Sequence, residues 1–340
     1  MKLSETRTWR DIREIPALLK VFSQGAPERL RGSALKSGDD SVHLVGRGSS
    51  DNATLFAKYI WETHTGVRAE FIHPHAVFEA RKPLNFRDRV VWAFSQSGRS
   101  TDVVECLKRL KDWGATGIAV TNEPDPAKNP LAAIAHRHIL LSHSRERSVA
   151  ATKTFALQLW LALWTAHLWS GWPAAADLTE TQNLMERFLG RPEDFPPSGR
   201  FAPLWTHLKR APVLAFVGRG PFFALAMDAA LKFREMAGVH AMAFSAADFL
   251  HGPVGAYGPK DLVLLLSPSD RKIPDDLKKV RKALLGRGAR HHILAPVGGV
   301  SPCNSLILDL ELKLAALALA LAKNLDPDRP QGLTKITRTL

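Results

Sequence analysis

Val91-Trp92-Ala93-Phe94-Ser95-Gln96-Ser97-Gly98-Arg99-Ser100-Thr101 sets the fold class of this 340-residue chain. The apolar run from Val90 to Phe94 has the pattern of a parallel strand buried on both faces. Four hydroxyls, an amide and a glycine follow, and then Asp102-Val103-Val104-Glu105-Cys106-Leu107 reads as a helix. A strand that turns straight into a helix through small hydroxyl residues leaves several backbone N–H groups aimed at one spot. The helix N-terminus adds about half a positive charge there. Such a cup suits a phosphate; a Ser-rich turn that merely caps its helix is the plainer alternative.

Working outward, strands are expected at Val42 to Val45, Val67 to Ile72, Val90 to Phe94, Gly117 to Thr121 and His138 to Leu141. Helical stretches lie between them, one through about His64 and one from Thr101 to Trp113, and a long helix from about Ala150 to Trp169 closes this half. Strands alternating with helices imply βαβ units and a doubly wound parallel sheet. Ahead of them, Trp9, Ile12, Ile15, Leu18, Leu19 and Phe22 have helical spacing, with Pro16 expected to bend or restart the helix. A short second helix is expected from Pro27 to Leu35.

The second half repeats the first. Gly46-Arg47-Gly48 recurs as Gly218-Arg219-Gly220, 172 positions on, and the same offset carries Val90–Phe94 onto Leu262–Leu266, Ser95 onto Ser267 and Ser97 onto Ser269. A glycine turn and a strand-Ser-x-Ser kept in register over half the chain indicate duplication. The copies diverge at the cup: Ser267-Pro268-Ser269-Asp270 has lost an N–H donor to Pro268 and gained a negative charge at Asp270, so only the first copy should hold phosphate. The expected division is N-terminal helices over 1–40, a first α/β domain over 41–170, a connector over 171–200, a second domain over 201–325, and a C-terminal tail over 326–340.

Composition narrows the function classes. Hydrophobic residues at 45% and charged ones at 23% describe an ordinary soluble protein, and the formal net charge is +13. Lys and Arg are spread along the chain without a run of five or more, and interleaved aromatic stacking motifs are absent, so an anionic small molecule fits better than nucleic acid. Cys106 and Cys303, in different halves, read as core residues of a reducing compartment. Asp309, Glu311 and Lys313 interrupt the apolar run Leu306 to Leu321, and Gln158 and His167 interrupt Phe155 to Trp172. Buried helices are therefore expected, not membrane spans, and no signal core opens the chain. A cytoplasmic protein is the expectation. His73 with His75, and His136 with His138, lack a Cys or carboxylate partner at ligand spacing, so no metal site is expected. At the third position of a dinucleotide fingerprint stands Asp51, which argues against a nicotinamide cofactor.

The second copy carries its own polar set. Asp228, Lys232 and Glu235 are spaced by four and three and share a helix face, either as a solvated ion-pair stripe or as a site. Leu250-His251-Gly252-Pro253 places an imidazole in a loop, suited to proton transfer or to a structural role. Asp326-Pro327-Asp328-Arg329-Pro330-Gln331-Gly332-Leu333-Thr334-Lys335 reads as a tail folded back over a site with Lys335 inward, or as a frayed end.

Taken together, Ser95-Gln96-Ser97-Gly98, Val149-Ala150-Ala151-Thr152-Lys153, Lys232-x-x-Glu235, Leu250-His251-Gly252-Pro253 and Asp328-x-Pro330-x-Gly332-Leu333-x-Lys335 resemble a tandem pair of sugar isomerase (SIS) domains. They most resemble the isomerase half of glucosamine-6-phosphate synthase and stand-alone glucosamine-6-phosphate deaminases. Asp11-Ile12-Arg13-Glu14-Ile15-Pro16 is similar to the family's opening helix. The resemblance implies two flavodoxin-like, five-stranded parallel-sheet domains with the C-terminal tail over the site. It implies a phosphosugar isomerase or deaminase without cofactor, acting on an amino-sugar 6-phosphate. Ser95, Gln96, Ser97 and Ser100 would hold the phosphate, and Ser50, Val149 and Lys232 would line the sugar. Glu235 would move the proton, His251 open the ring, and Lys335 meet the carbonyl. It further implies a homodimer with His251 contributed across the interface. The chain opens Met1-Lys2 without an N-terminal Cys nucleophile, so no glutaminase half is expected. Arg99, Ala151 and Asp228 depart from the family pattern and bear on which sugar is taken. A non-catalytic sugar-phosphate regulator, or an aldose–ketose isomerase without deamination, is the rival reading.

Overall fold

The computed structural model describes residues 2–31, 35–190, 201–298 and 301–334. These residues form an α/β fold with two parallel sheets. The first holds β1 (Ser41–Val45), β2 (Arg68–Phe71), β3 (Val90–Phe94), β4 (Thr116–Thr121) and β5 (Arg137–Leu140) in the order β2-β1-β3-β4-β5. The second holds β6 (Val213–Gly218), β7 (His240–Ser245), β8 (Leu262–Leu266) and β9 (Arg290–Leu294) in the order β7-β6-β8-β9. All pairings are parallel.

The helices, in chain order, begin with α1 (Arg7–Arg29), α2 (Ser49–Thr65), α3 (Pro74–Phe78), α4 (Thr101–Asp112), α5 (Pro130–Ile134) and α6 (Lys153–Ser170). They continue with α7 (Ala175–Leu189), α8 (Ala202–Arg210), α9 (Pro221–Ala237), α10 (Ala246–Leu250), α11 (Asp275–Gly286) and α12 (Ser305–Ala322). Among the described residues no helix is long and apolar enough to cross a membrane.

The duplication holds residue by residue up to the serine turn, after which the offset grows from 172 to 174 at α4 and α11. Shifting α2 by the same 172 positions gives α9, and shifting β3 gives β8, with identical bounds. Gly48 and Gly220 stand before α2 and α9 at φ 57° and 58°, a left-handed conformation that glycine adopts without steric cost. Arg47 Nε reaches Asp102 Oδ2 at 3.0 Å, and its counterpart Arg219 Nε reaches Asp276 Oδ2 at 3.1 Å. The copies part after the serine turn, and a larger difference follows. In the first copy a helix and a strand, α5 and β5, separate β4 from α6. In the second only 295–304 separate β9 from α12, too short for another helix and strand. Among the described residues the second sheet therefore has four strands where five were expected.

The chain divides into two compact units. Among the described residues, one comprises Ala17–Glu146, Lys153–Ala174 and Thr334, and the other Lys2–Pro16, Arg147–Thr152 and Ala175–Leu333. In the first, Val91, Ala93 and Ala119 pack with Val103, Cys106, Leu107 and Leu110 of α4 on one face of the sheet. On the other face Trp92 of β3 packs against Trp61 of α2, tilted with ring centroids 5.2 Å apart, and edge-to-face against Trp169 of α6, at 6.4 Å. In the second unit Val217, Val263 and Leu265 pack with Leu277, Val280 and Leu284 of α11. Cys106 and Cys303 are buried free thiols, and burial pushes each up to about 12.

Three local expectations are corrected. Pro16 does not restart a helix: α1 runs unbroken through Pro16 to Arg29, so that Pro27 continues this helix and does not open a second one. An internal proline costs a hydrogen bond and introduces a clash. Here Trp9, Ile12, Ile15, Leu19 and Phe22 are at most 3% exposed, and their burial outweighs that loss. Finally, α6 begins at Lys153, not Ala150, because the buried Glu146 carboxylate accepts from the N–H groups of Lys153 and Thr154 at 3.3 and 2.9 Å and fixes the start there.

Candidate active site

The serine turn lies at the C-terminal end of β3, beside β1, where the strand order reverses, the usual ligand position in an open parallel sheet. Ser95 N–H bonds Val120 O at 3.0 Å and Gln96 O accepts from Asn122 N–H at 2.9 Å, so the turn is pinned to the end of β4. Gly98 takes φ 66°, and a Cβ there would stand 1.8 Å from Asn129 Oδ1, which leaves no room for a side chain. The Ser97 hydroxyl accepts from Arg99 N–H at 3.2 Å. The N–H groups of Ser97, Gly98 and Ser100 make no hydrogen bond among the described residues. Ser100 is the N-cap of α4 with its hydroxyl not engaged as a cap. Asp102, in the first turn of that helix, would repel an anion, but Arg47 balances it. Arg99 is turned aside, its Nε donating to Lys128 O at 2.8 Å. Ser50, buried in the first turn of α2, accepts from Gln158 Nε2 at 3.0 Å. The structure thus brings Ser95, Gln96, Ser97 and Ser100 into one turn, with Ser50 on the neighbouring strand-to-helix connection.

The matching turn of the second copy is closed upon itself. Ser267 Oγ donates to Ser269 O at 2.6 Å, and Ser269 Oγ accepts from the N–H groups of Arg271 and Lys272 at 3.1 and 3.2 Å. The Arg271 bond repeats that of Arg99, but the N–H groups of Ser269 and Lys272, whose counterparts on Ser97 and Ser100 are open in the first copy, are consumed here.

In the other unit α9 presents Asp228 and Lys232, both fully buried, and Glu235, whose side chain is 21% exposed. A solvated stripe is therefore excluded. Lys232 Nζ is ion-paired with Glu235 Oε2. Glu235 opens onto a cavity of about 730 Å³ walled by Arg234, Leu231 and, from the tail, Asn324, Asp326, Arg329 and Gln331. His251 follows α10 and is exposed, and its ring makes no hydrogen bond among the described residues. The loop carrying it is held by Phe244, Phe249 and Tyr257, with Phe249 centroids 5.3 Å from each of the other two. Lys335 lies outside the described residues.

Two aspartates, neither given a role by sequence reasoning, position the loops of this unit. Asp11, fully buried, accepts from Arg147 N–H, Ser148 N–H and Ser148 Oγ at 2.7, 2.8 and 3.1 Å, which hangs the segment with half-buried Val149 on α1. Asp328 caps α1 from the tail, accepting from Arg7 N–H, Thr8 N–H and Thr8 Oγ1 at 2.6, 2.9 and 2.8 Å. Asp11→Ala should destabilise the protein by about 3 kcal/mol, because a buried and a part-buried N–H group and the buried Ser148 hydroxyl lose their acceptor. Urea unfolding checks this, and an unchanged midpoint would show that the loop does not hang on Asp11.

A serine turn at the switch point of one α/β sheet and a carboxylate–ammonium pair on the repeated copy mark a tandem, duplicated α/β protein. The SIS domain model matches residues 37–168 and 207–295, and the chain belongs to that family. It is 29% identical to the glutamine–fructose-6-phosphate aminotransferase (isomerizing) of Aeropyrum pernix, over 96% of this chain and 56% of that protein. It is 28% identical to that of Streptomyces coelicolor, over 87% and 51%. The chain spans about half the length of these curated relatives. Among solved structures, glucosamine-6-phosphate deaminase from Thermotoga maritima superposes with TM-score 0.79 at 23% identity, covering 98% of this chain and all of that one. Tagatose-6-phosphate ketose/aldose isomerase from Escherichia coli superposes with TM-score 0.71 at 16% identity, covering 99% and 98%. These two likenesses are of fold.

Proposed function

We propose that the protein is a phosphosugar isomerase that deaminates an amino-sugar 6-phosphate, such as glucosamine 6-phosphate, to a ketose 6-phosphate and ammonia. The observation that carries the reading is Glu235, a carboxylate paired with a buried ammonium and facing a cavity large enough for a hexose. Ser95, Gln96, Ser97 and Ser100 hold the phosphate, so that remote binding energy serves the reacting carbons. Ser50, Val149 and Lys232 line the sugar. His251 assists ring opening, and Lys335 meets the open-chain carbonyl. Glu235 removes the C2 proton and returns it to C1. The resulting C2 imine adds water and expels ammonia, with no net oxidation and no cofactor. Donors at the developing oxyanion stabilise the enediol-type intermediate.

The working form is proposed to be a homodimer in which exposed His251 serves the partner's site. Ammonia release and ketose phosphate formation, assayed across hexosamine 6-phosphates, test the reading. Good turnover of an unaminated sugar phosphate with every hexosamine 6-phosphate left intact would overturn it in favour of plain aldose–ketose isomerisation.

A further inference from the structure

Helices α9 and α12 bury more charge than the proposed chemistry uses. On α12, Asp309 and Lys313 are one turn apart and ion-paired, and Lys313 Nζ also lies 3.9 Å from Asp228 Oδ2 on α9. Asp309 is 4% exposed and Lys313 1%. Charges therefore alternate from the cavity wall into the core: Glu235 negative, Lys232 positive, Asp228 negative, Lys313 positive, Asp309 negative. The row is a poor source of stability, since desolvating ions costs about as much as their attraction returns and apolar side chains of similar volume do as well. What it does accomplish is local. Asp228 stands one turn from Lys232 on the same face of α9 and competes with Glu235 for its ammonium. Lys313, 3.9 Å from Asp228, gives that carboxylate an opposing charge of its own, and Lys232 stays on Glu235.

We propose that Lys313, held by Asp309, is a positioning residue for the Glu235–Lys232 pair and acts through Asp228. The inference rests on the reading of Glu235 as the base. Burial pushes the Asp309 carboxyl up to about 6, against the pull of Lys313 and Lys232 and with the help of the Asp228 charge. Its ion pair with Lys313 keeps that ammonium in place.

The test is Lys313→Gln in the full chain, assayed with glucosamine 6-phosphate. We expect kcat to fall about tenfold, the cost of one misplaced group at a reacting centre. KM and competitive inhibition by inorganic phosphate should stay within about twofold, and Lys313→Arg should restore most of kcat. In a Glu235→Gln background the same change should cost nothing further, since both act through one carboxylate. An unchanged kcat, or an equal loss in both backgrounds, would overturn the proposal. Should Lys313→Gln fail to fold, the paired Asp309→Leu/Lys313→Leu variant removes both charges while keeping the helix apolar. Full kcat in that variant would overturn the proposal, and a tenfold loss would support it. Full activity of Glu235→Gln alone would remove the base assignment itself, a separate failure.

Discussion

Glu235→Gln should keep substrate binding and lose about 10²–10⁴ in kcat, the usual share of a general base. The amide keeps the shape and still accepts a hydrogen bond from Lys232, so the cavity wall is preserved, but it cannot take a proton from carbon. Steady-state kinetics with glucosamine 6-phosphate and calorimetric binding of the same sugar separate the two effects. The same variant tests the assembly. Mixed with His251→Ala chains, it should regain part of the activity if His251 serves the partner's site, because each heterodimer then holds one intact set. No recovery in demonstrated heterodimers would count against a shared site, and kcat within tenfold of wild type for Glu235→Gln would sink its role as base.

How much of this was legible in the sequence depends on whether the signal was local. The run Val90–Phe94, the turn after it and the 172-residue echo are local patterns. They fix β3 and β8 to the residue, along with the two glycines at the starts of α2 and α9. The count of strands in the second sheet was open to the same arithmetic, since the short span between β9 and α12 leaves no place for a fifth strand. The family pattern obscured it. Pro16 misled because a proline is a strong local signal, whereas what keeps α1 whole is tertiary burial of its apolar face. Asp309 and Lys313 stood in the sequence as mere interruptions of an apolar run. Their spacing of four showed that they could pair, but only the packing of α12 on α9 shows that Asp228 joins them. Asp11 and Asp328 are the same kind of case: their partners lie more than a hundred positions away. For the serine turn, sequence gave the divergence of the copies, and the structure adds its mechanism in the self-closed Ser267–Lys272 turn.

The second large effect lies at that pair of turns. Ser95→Ala together with Ser97→Ala should raise KM for the 6-phosphate sugar by about 10²–10⁴, since each hydroxyl offers a phosphate a charge-assisted hydrogen bond of about 1.5–3 kcal/mol. The lower end is expected, because the two serines share one anion and such losses overlap. kcat should change far less, as the phosphate is remote from the carbons that react. The control is the symmetric pair, Ser267→Ala with Ser269→Ala. Its hydroxyls already serve Ser269 O and the N–H groups of Arg271 and Lys272, and Asp270 stands beside them. Losing them should loosen that turn and lower the melting temperature, while KM and inhibition by inorganic phosphate stay within about twofold. Equal rises in KM from the two pairs would mean that both copies hold phosphate. A rise from neither would move the anion site away from the end of β3 altogether.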